Sequence, residues 1–249
     1  MNQNIEKLFE TGFVVGQSGK VFPLDYSVDR NEGELMAQII RDDPNVVRTL
    51  EIGCAYGISS LFICSALQGR SGASHTIIDP FQSTQWDGTG IRNLEEAGFD
   101  FFKLMEIKSE FALPQLVEAG EGQYDFVFID GWHTFDHTLV DCFYATRLLR
   151  VGGYLAIDDV SFPSVRRVVN WLSNYPCYKL HRSVSSKKKK KLRPLLLRSL
   201  MYPIHRETWA KALSAKYYQW IFEDQAFDMV ALKKVDEDSR NWDWHNDVF

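Results

Sequence analysis

Thr49-Leu-Glu-Ile-Gly-Cys-Ala-Tyr-Gly-Ile-Ser-Ser60 is the stretch on which the fold turns. An apolar run from Val46 to Ile52 reads as a strand, Gly53 and Gly57 as the turn that ends it, and Ile58 to Gln68 as a helix stopped by Gly69. Glycines at such a turn let a ligand approach the backbone closely, and the free N–H groups of the helix start suit a carboxylate or phosphate. Three residues separate the two glycines and no third follows, so the spacing departs from the G-x-G-x-x-G fingerprint and disfavours a pyrophosphate.

Working outward, the same strand-then-helix alternation repeats, and the fold class is α/β with parallel strands joined by crossover helices. His75 to Asp79 is expected as strand two, followed by a helix through Leu94 that stops near Gly98. Phe102 to Ile107 is strand three and Phe111 to Glu118 a helix. Phe126 to Asp130 has the apolar character of a central strand buried on both faces. A helix over Thr138 to Leu149, a fifth strand over Tyr154 to Asp158 and a short helix over Val165 to Leu172 follow. Tyr178 to Val184 and Phe227 to Lys233 complete the strands. One domain over 1–249 is expected, with an N-terminal arm at 1–34 and a basic helical insertion at 185–225.

Acids close several of these strands. Asp79, at the end of strand two, stands where open parallel sheets place a carboxylate for ribose hydroxyls, which implies a nucleoside ligand. Asp130 and Asp158 close strands four and five, about 4.8 Å apart in an open sheet, and Asp159 follows directly. Three carboxylates converging in one crevice repel one another, and a hard divalent cation such as Mg²⁺ relieves that. The competing account is that Asp158 and Asp159 cap the next helix or pair with Arg166 and Arg167. His133, three residues after Asp130, is placed to take a hydroxyl proton as a neutral imidazole. His137 faces the same side if its helix begins early, and Trp132 is either a stacking surface or core.

Glu51-x-Gly53-x-x-x-Gly57-x-Ser59, Asp79-Pro80-Phe81-Gln82 and Asp130-Gly131-Trp132-His133 together resemble the class I S-adenosylmethionine-dependent methyltransferases, in the bacterial branch similar to macrolide-sugar and catechol-type O-methyltransferases. The resemblance covers about Leu35 to Leu172 and Met229 to Val235. It implies a Rossmann-like seven-stranded sheet of order 3-2-1-4-5-7-6, with the last strand antiparallel and helices on both faces. It implies S-adenosyl-L-methionine as cofactor, with Glu51, Gly53, Tyr56, Gly57 and Ser59 around its methionine end. Asp79 would take the ribose, Ser109 and Glu110 the adenine edge, and Phe81 would cover the adenine. Asp130, Asp158 and Asp159 would bind Mg²⁺ or another divalent cation, and Asp130 and His133 would be catalytic. The expected reaction is metal-assisted O-methylation of a sugar, polyol or phenolic hydroxyl on a small molecule or glycan. A metal-independent N-methyltransferase, a nicotinamide-dependent oxidoreductase and a non-catalytic adaptor are the alternatives.

Composition bounds the remaining readings. The 249 residues are 45% hydrophobic, with 28 basic and 33 acidic side chains, which suits an ordinary globular domain and excludes collagen, coiled coil and bulk disorder. No apolar stretch approaches the roughly 20 residues of a membrane span, and no signal or transit character precedes the fold, so cytoplasm is the expected compartment. Cys54, Cys64, Cys142 and Cys177 form no CxxC pair and are expected to be reduced thiols. From Lys179 to Lys216, twelve Lys or Arg meet the single acid Glu207. Lys187 to Lys191 cannot pack, and the insertion reads as a mobile loop and a helix set on the sheet edge or a sister subunit, or as a peripheral contact with an anionic membrane. Nucleic acid is disfavoured because no aromatic-basic RNA motif accompanies the charge.

Overall fold

The computed structural model describes residues 2–25, 27–120, 123–185 and 227–244. The basic insertion, Lys187 to Lys191 included, therefore lies outside the described residues apart from Ser185.

The chain runs α1 (Gln3–Thr11), β1 (Phe13–Val15), β2 (Val21–Pro23), α2 (Arg30–Asp42), β3 (Arg48–Ile52), α3 (Ile58–Leu67), β4 (Ser74–Ile78) and α4 (Thr89–Glu96). It continues through β5 (Phe102–Met105), α5 (Ser109–Glu118), β6 (Tyr124–Ile129), α6 (Phe135–Leu148), β7 (Leu149–Ile157), α7 (Pro163–Leu172), β8 (Tyr178–Val184) and β9 (Met229–Lys234). Seven strands form one sheet of order β5-β4-β3-β6-β7-β9-β8, with β9 antiparallel to both neighbours. This is the expected order 3-2-1-4-5-7-6. It follows from right-handed crossovers, which carry the chain outward to one side of β3 and then, through β6, to the other.

The central strand β6 is buried along its whole length. Phe126 and Phe128 face the layer of α1, α2 and α3, while Val127 and Ile129 face the layer of α5, α6 and α7. Each fully buried Phe contributes about 1.5–3 kcal/mol. Helix α3 has no polar face: Ile58, Leu61, Phe62, Ile63, Cys64 and Leu67 are all buried, because α2 covers the side turned from the sheet. Gly33 makes that packing close, since a side chain there would collide with the Phe62 ring. All four cysteines are buried and unbridged.

Several boundaries differ from the sequence reading, two of them for clear local reasons. β3 starts at Arg48 rather than Val46 because the Val46 amide closes a turn onto Asp43, while the amides of Val47 and Arg48 donate to the Asp125 carboxylate. α6 starts at Phe135, three residues before the expected Thr138, with Asp136 in its first turn where the helix dipole favours an acid. The arm before residue 34 is itself structured, as α1, a two-stranded hairpin of β1 and β2, and the start of α2. Among the described residues, no helix is long and apolar enough to cross a membrane.

Candidate active site

The central parallel strands end in step. Ile52 pairs with both Ile78 and Ile129, and Ile129 pairs with Ile157. The next residues along each strand, Gly53, Asp79, Asp130 and Asp158, therefore emerge side by side at the carboxyl edge, where open sheets of this kind bind ligands. A cavity of about 910 Å³ opens there. Gly53, Asp79, Phe81, Ser109, Glu110, Asp130, His133, Asp158 and Asp159 all line it.

Asp79 is 3% exposed, and its carboxylate organises the turn after β3. Oδ2 accepts from the amides of Cys54 (3.1 Å) and Ala55 (2.8 Å) and from Gln82 Nε2 (3.0 Å), and Oδ1 accepts from the amide of Phe81 (2.9 Å). The glycines have a cause that the sequence did not reveal. Gly53 (φ +86°) runs so close to the carbonyl of Asp130 that a Cβ would overlap it, and Gly57 (φ +77°) lies against Gly90 of α4. Both serve backbone-on-backbone packing as well as any ligand.

Glu51, Tyr56, Gly57 and Ser59, expected at the cofactor, are not among the residues that line the cavity. Side chains alternate along a strand, so while Leu50 and Ile52 face one layer, Glu51 faces the other and is fully buried. There it accepts from Ser60 Oγ and meets His75 Nε2 at 3.1 Å, and His75 Nδ1 meets Thr49 Oγ1 at 2.9 Å. Tyr56 is turned into an aromatic contact with Phe22 and Trp86, and Ser59 is buried at the start of α3.

Asp130, His133 and Asp159 each offer one ligand atom within 4.8 Å of the others. His133 Nε2 lies 3.4 Å from Asp130 Oδ1 and 3.0 Å from Asp159 Oδ2. Asp159 reaches this position with φ +54°, a left-handed backbone rare for a side-chain-bearing residue. Asp158 lines the same cavity but is not among the three residues whose ligand atoms converge. Its side chain is 7% exposed, and burial together with Asp130 and Glu32 pushes its carboxyl well above the ordinary range. Burial, reinforced by Asp159, raises Asp130 to about 6. Burial raises Glu32, a residue of the N-terminal arm, to about 7. Hydrogen bonds to Asp130 and Asp159 push the imidazole of His133 up to about 10. These carboxylates favour the charged ring, whereas the role expected of His133 as a base uses the neutral one.

The donor set fits a divalent cation. The Asp130 and Asp159 carboxylates converge beside the His133 imidazole, and nearby carboxylates are crowded enough to hold protons that a cation would displace. The rest of the wall is aromatic. Trp132 is 58% exposed, 6.5 Å from Phe81 and stacked on His137, and Phe162 stacks on His133. Trp132 is therefore a surface of the cavity and not core. His137 lines the cavity because α6 begins early. Sequence reasoning missed Ser27, Glu32, Trp86 and Phe162. The only signal for Glu32 was Asp29-x-x-Glu32, which the structure shows to be a capping box at the start of α2.

Residues 50–160, the segment that builds this edge, match the family described as methyltransferase domain. No curated protein matches the chain. Among solved structures, the chain is similar to an O-methyltransferase from Bacillus cereus in complex with SAH, with a TM-score of 0.64 and 14% identity over 94% of this chain and 92% of that one. It is similar to TomG, an O-methyltransferase from Streptomyces achromogenes involved in tomaymycin synthesis and solved with SAM, at TM-score 0.60 and 19% identity over 93% and 89%. The SAH-bound methyltransferase PaMTH1 of Podospora anserina aligns at TM-score 0.58 and 20% identity over 73% and 83%. The matched segment, the strand order and the acid-lined carboxyl edge agree, and residues 50–160 of this chain are similar to a methyltransferase domain.

Proposed function

We propose that the protein methylates a hydroxyl oxygen of a small molecule, at the end of the cavity marked by Asp130, His133 and Asp159. The single observation that carries this reading is their convergence on the same sheet edge as Asp79, one strand over from the turn at Gly53. In this reading Asp79 recognises the ribose, Ser109 and Glu110 the adenine edge, and Phe81 and Trp132 flank the base. The O-methyltransferase activity named for the similar structures supports oxygen as the acceptor.

The reaction is an in-line displacement. A lone pair of the acceptor oxygen attacks the methyl carbon, the carbon–sulfur bond breaks, and its electron pair leaves with sulfur as a neutral thioether. The chain needs no covalent nucleophile, only alignment, exclusion of water and a place for the hydroxyl proton. Asp130 and Asp159 would hold the divalent cation, with Asp158 close behind them, and when bound the cation supplies Lewis acidity that lowers the pKa of the acceptor hydroxyl. His133, between these two carboxylates, is the chain's own group for the hydroxyl proton: its Nε2 would accept that proton when the imidazole is neutral. Trp132 and Phe162 offer flat apolar faces against which a sugar or phenol ring can be oriented.

A panel of phenols, sugars and polyols, assayed with labelled cofactor with and without Mg²⁺, tests the proposal. Transfer to oxygen that is lost in EDTA and falls about 10²–10⁴-fold in His133→Ala, with cofactor affinity kept, is expected. Undiminished turnover in EDTA removes the cation, and ordinary turnover of His133→Ala removes the base.

A further inference from the structure

Among the described residues, three non-glycines hold a positive φ: Ala55 (+45°), Asp87 (+49°) and Asp159 (+54°). Such strain persists only where surrounding contacts enforce it, and it concentrates at functional sites. Ala55 and Asp159 line the cavity. Asp87 does not, yet it sits between cavity-lining Trp86 and Gly88, and its bonds run to the distant N-terminal hairpin. Its Oδ2 accepts from Ser18 Oγ (2.5 Å) and from the Ser18 amide (3.2 Å), and its carbonyl accepts from the Gln17 amide (2.7 Å). Arg92 of α4 adds a bond from Nη1 to the Gly16 carbonyl (2.6 Å). The surfaces interlock, since a side chain at Gly16 would strike the Asp87 carboxylate and one at Gly88 would strike Gln17.

The far side of the hairpin touches the cofactor turn. Phe22 packs on Tyr56 at 5.8 Å, and Tyr56 packs edge-on against Trp86 at 5.3 Å. The Tyr56 carbonyl is held in turn by Asn93 of α4. Beyond the hairpin the chain proceeds to Ser27 and Glu32, both in the cavity wall. One latch thus fixes the tip of a segment whose other contacts shape the turn over 53–57 and one side of the cavity.

We propose that Asp87 is a positioning residue: it latches the N-terminal hairpin to the loop before α4, so that seating of the hairpin and binding of the S-adenosyl ligand are coupled. This rests on the assignment of the cavity to the cofactor. Affinity falls by the fraction of molecules in which the competent arrangement is formed, and the coupling must be reciprocal.

The test uses the full chain, with S-adenosylhomocysteine as the probe. In calorimetry, Asp87→Ala is expected to raise Kd about tenfold. Asp87→Asn, which tolerates the left-handed backbone and keeps an acceptor oxygen, should recover most of the loss. Ser18→Ala, on the exposed tip, should raise Kd by a smaller factor. In the unaltered chain the probe should slow tryptic cleavage after Lys20, on the hairpin, by about the factor that Asp87→Ala loses in affinity. Should Asp87→Ala fail to fold, Ser18→Ala and the protection of Lys20 still decide. The latch alone is overturned if the unaltered chain binds the probe and Asp79→Asn binds it at least tenfold more weakly, while Asp87→Ala and Ser18→Ala bind as the unaltered chain does or Lys20 is not protected. A lower Tm in Asp87→Ala with unchanged Kd is the same refutation. If the unaltered chain does not bind the probe, the cofactor assignment falls as well.

Discussion

Replacing Asp79 separates two jobs that one carboxylate performs. In the structure it braces the turn after β3, accepting from the amides of Cys54, Ala55 and Phe81 and from Gln82. In the proposed function it also accepts from the cofactor ribose. Asp79→Ala strands four donors, each at about 1–3 kcal/mol, for a total of about 4–12 kcal/mol, comparable to the 5–15 kcal/mol by which domains are stable. Asp79→Asn keeps the shape and one acceptor oxygen but turns an NH₂ toward N–H donors, at about 1.5–2 kcal/mol. In a chain of this size that lowers Tm by roughly 4–8 °C, so the Asn variant stays folded for binding work. Losing one charge-assisted hydrogen bond to the ribose should raise Kd for S-adenosylhomocysteine at least tenfold, since 1.4 kcal/mol is one decade. Calorimetry with the 2′,3′-dideoxy analogue closes a double-mutant cycle. The Asn variant should bind the analogue about as well as the unaltered chain does. Unchanged affinity for the parent ligand refutes the ribose contact. An equal loss for both ligands shows that Asp79 only braces the turn.

Other outcomes follow from the same geometry. Gly53→Ala must place a Cβ against the Asp130 carbonyl at φ +86°, so a loss of about 2–4 kcal/mol or failure to fold is expected, and chemical denaturation measures it. Glu32, raised to about 7, and Asp130, raised to about 6, bind more protons folded than unfolded. In chelator, stability should therefore fall as pH rises from about 4 through 7, by a few kcal/mol. Melting curves should show Glu32→Gln flattening this slope, and a slope unaffected by the substitution refutes the assignment. Trp132→Ala, at a side chain 58% exposed, should leave Tm within a degree or two while weakening acceptor KM by about tenfold. Equal KM values in the two enzymes would show that Trp132 does not contact the acceptor.

The amino-acid sequence by itself determined the α/β class and the succession of strands and helices, while the sheet order came from the family resemblance that its motifs carry. Apolar runs such as Phe126 to Ile129 suit a central strand buried on both faces, and turn glycines mark where strands stop. It also placed Asp79 and Asp130 at the carboxyl edge, because each directly follows such a run. What only the tertiary structure decided depends on which way a side chain points and on contacts between distant segments. Glu51 lies two residues before Gly53, yet strand alternation sends its side chain to the face opposite Leu50 and Ile52, to His75 and Ser60. Asp158 and Asp159 look equivalent in sequence, but a left-handed backbone at 159 brings only the second to His133. The same carboxylates give His133 its charge, which no local pattern encodes. Ser27 and Glu32 reach the cavity from a segment that carries only a helix-start signal, and the bond between Asp87 and Ser18 at the hairpin tip joins residues some seventy positions apart.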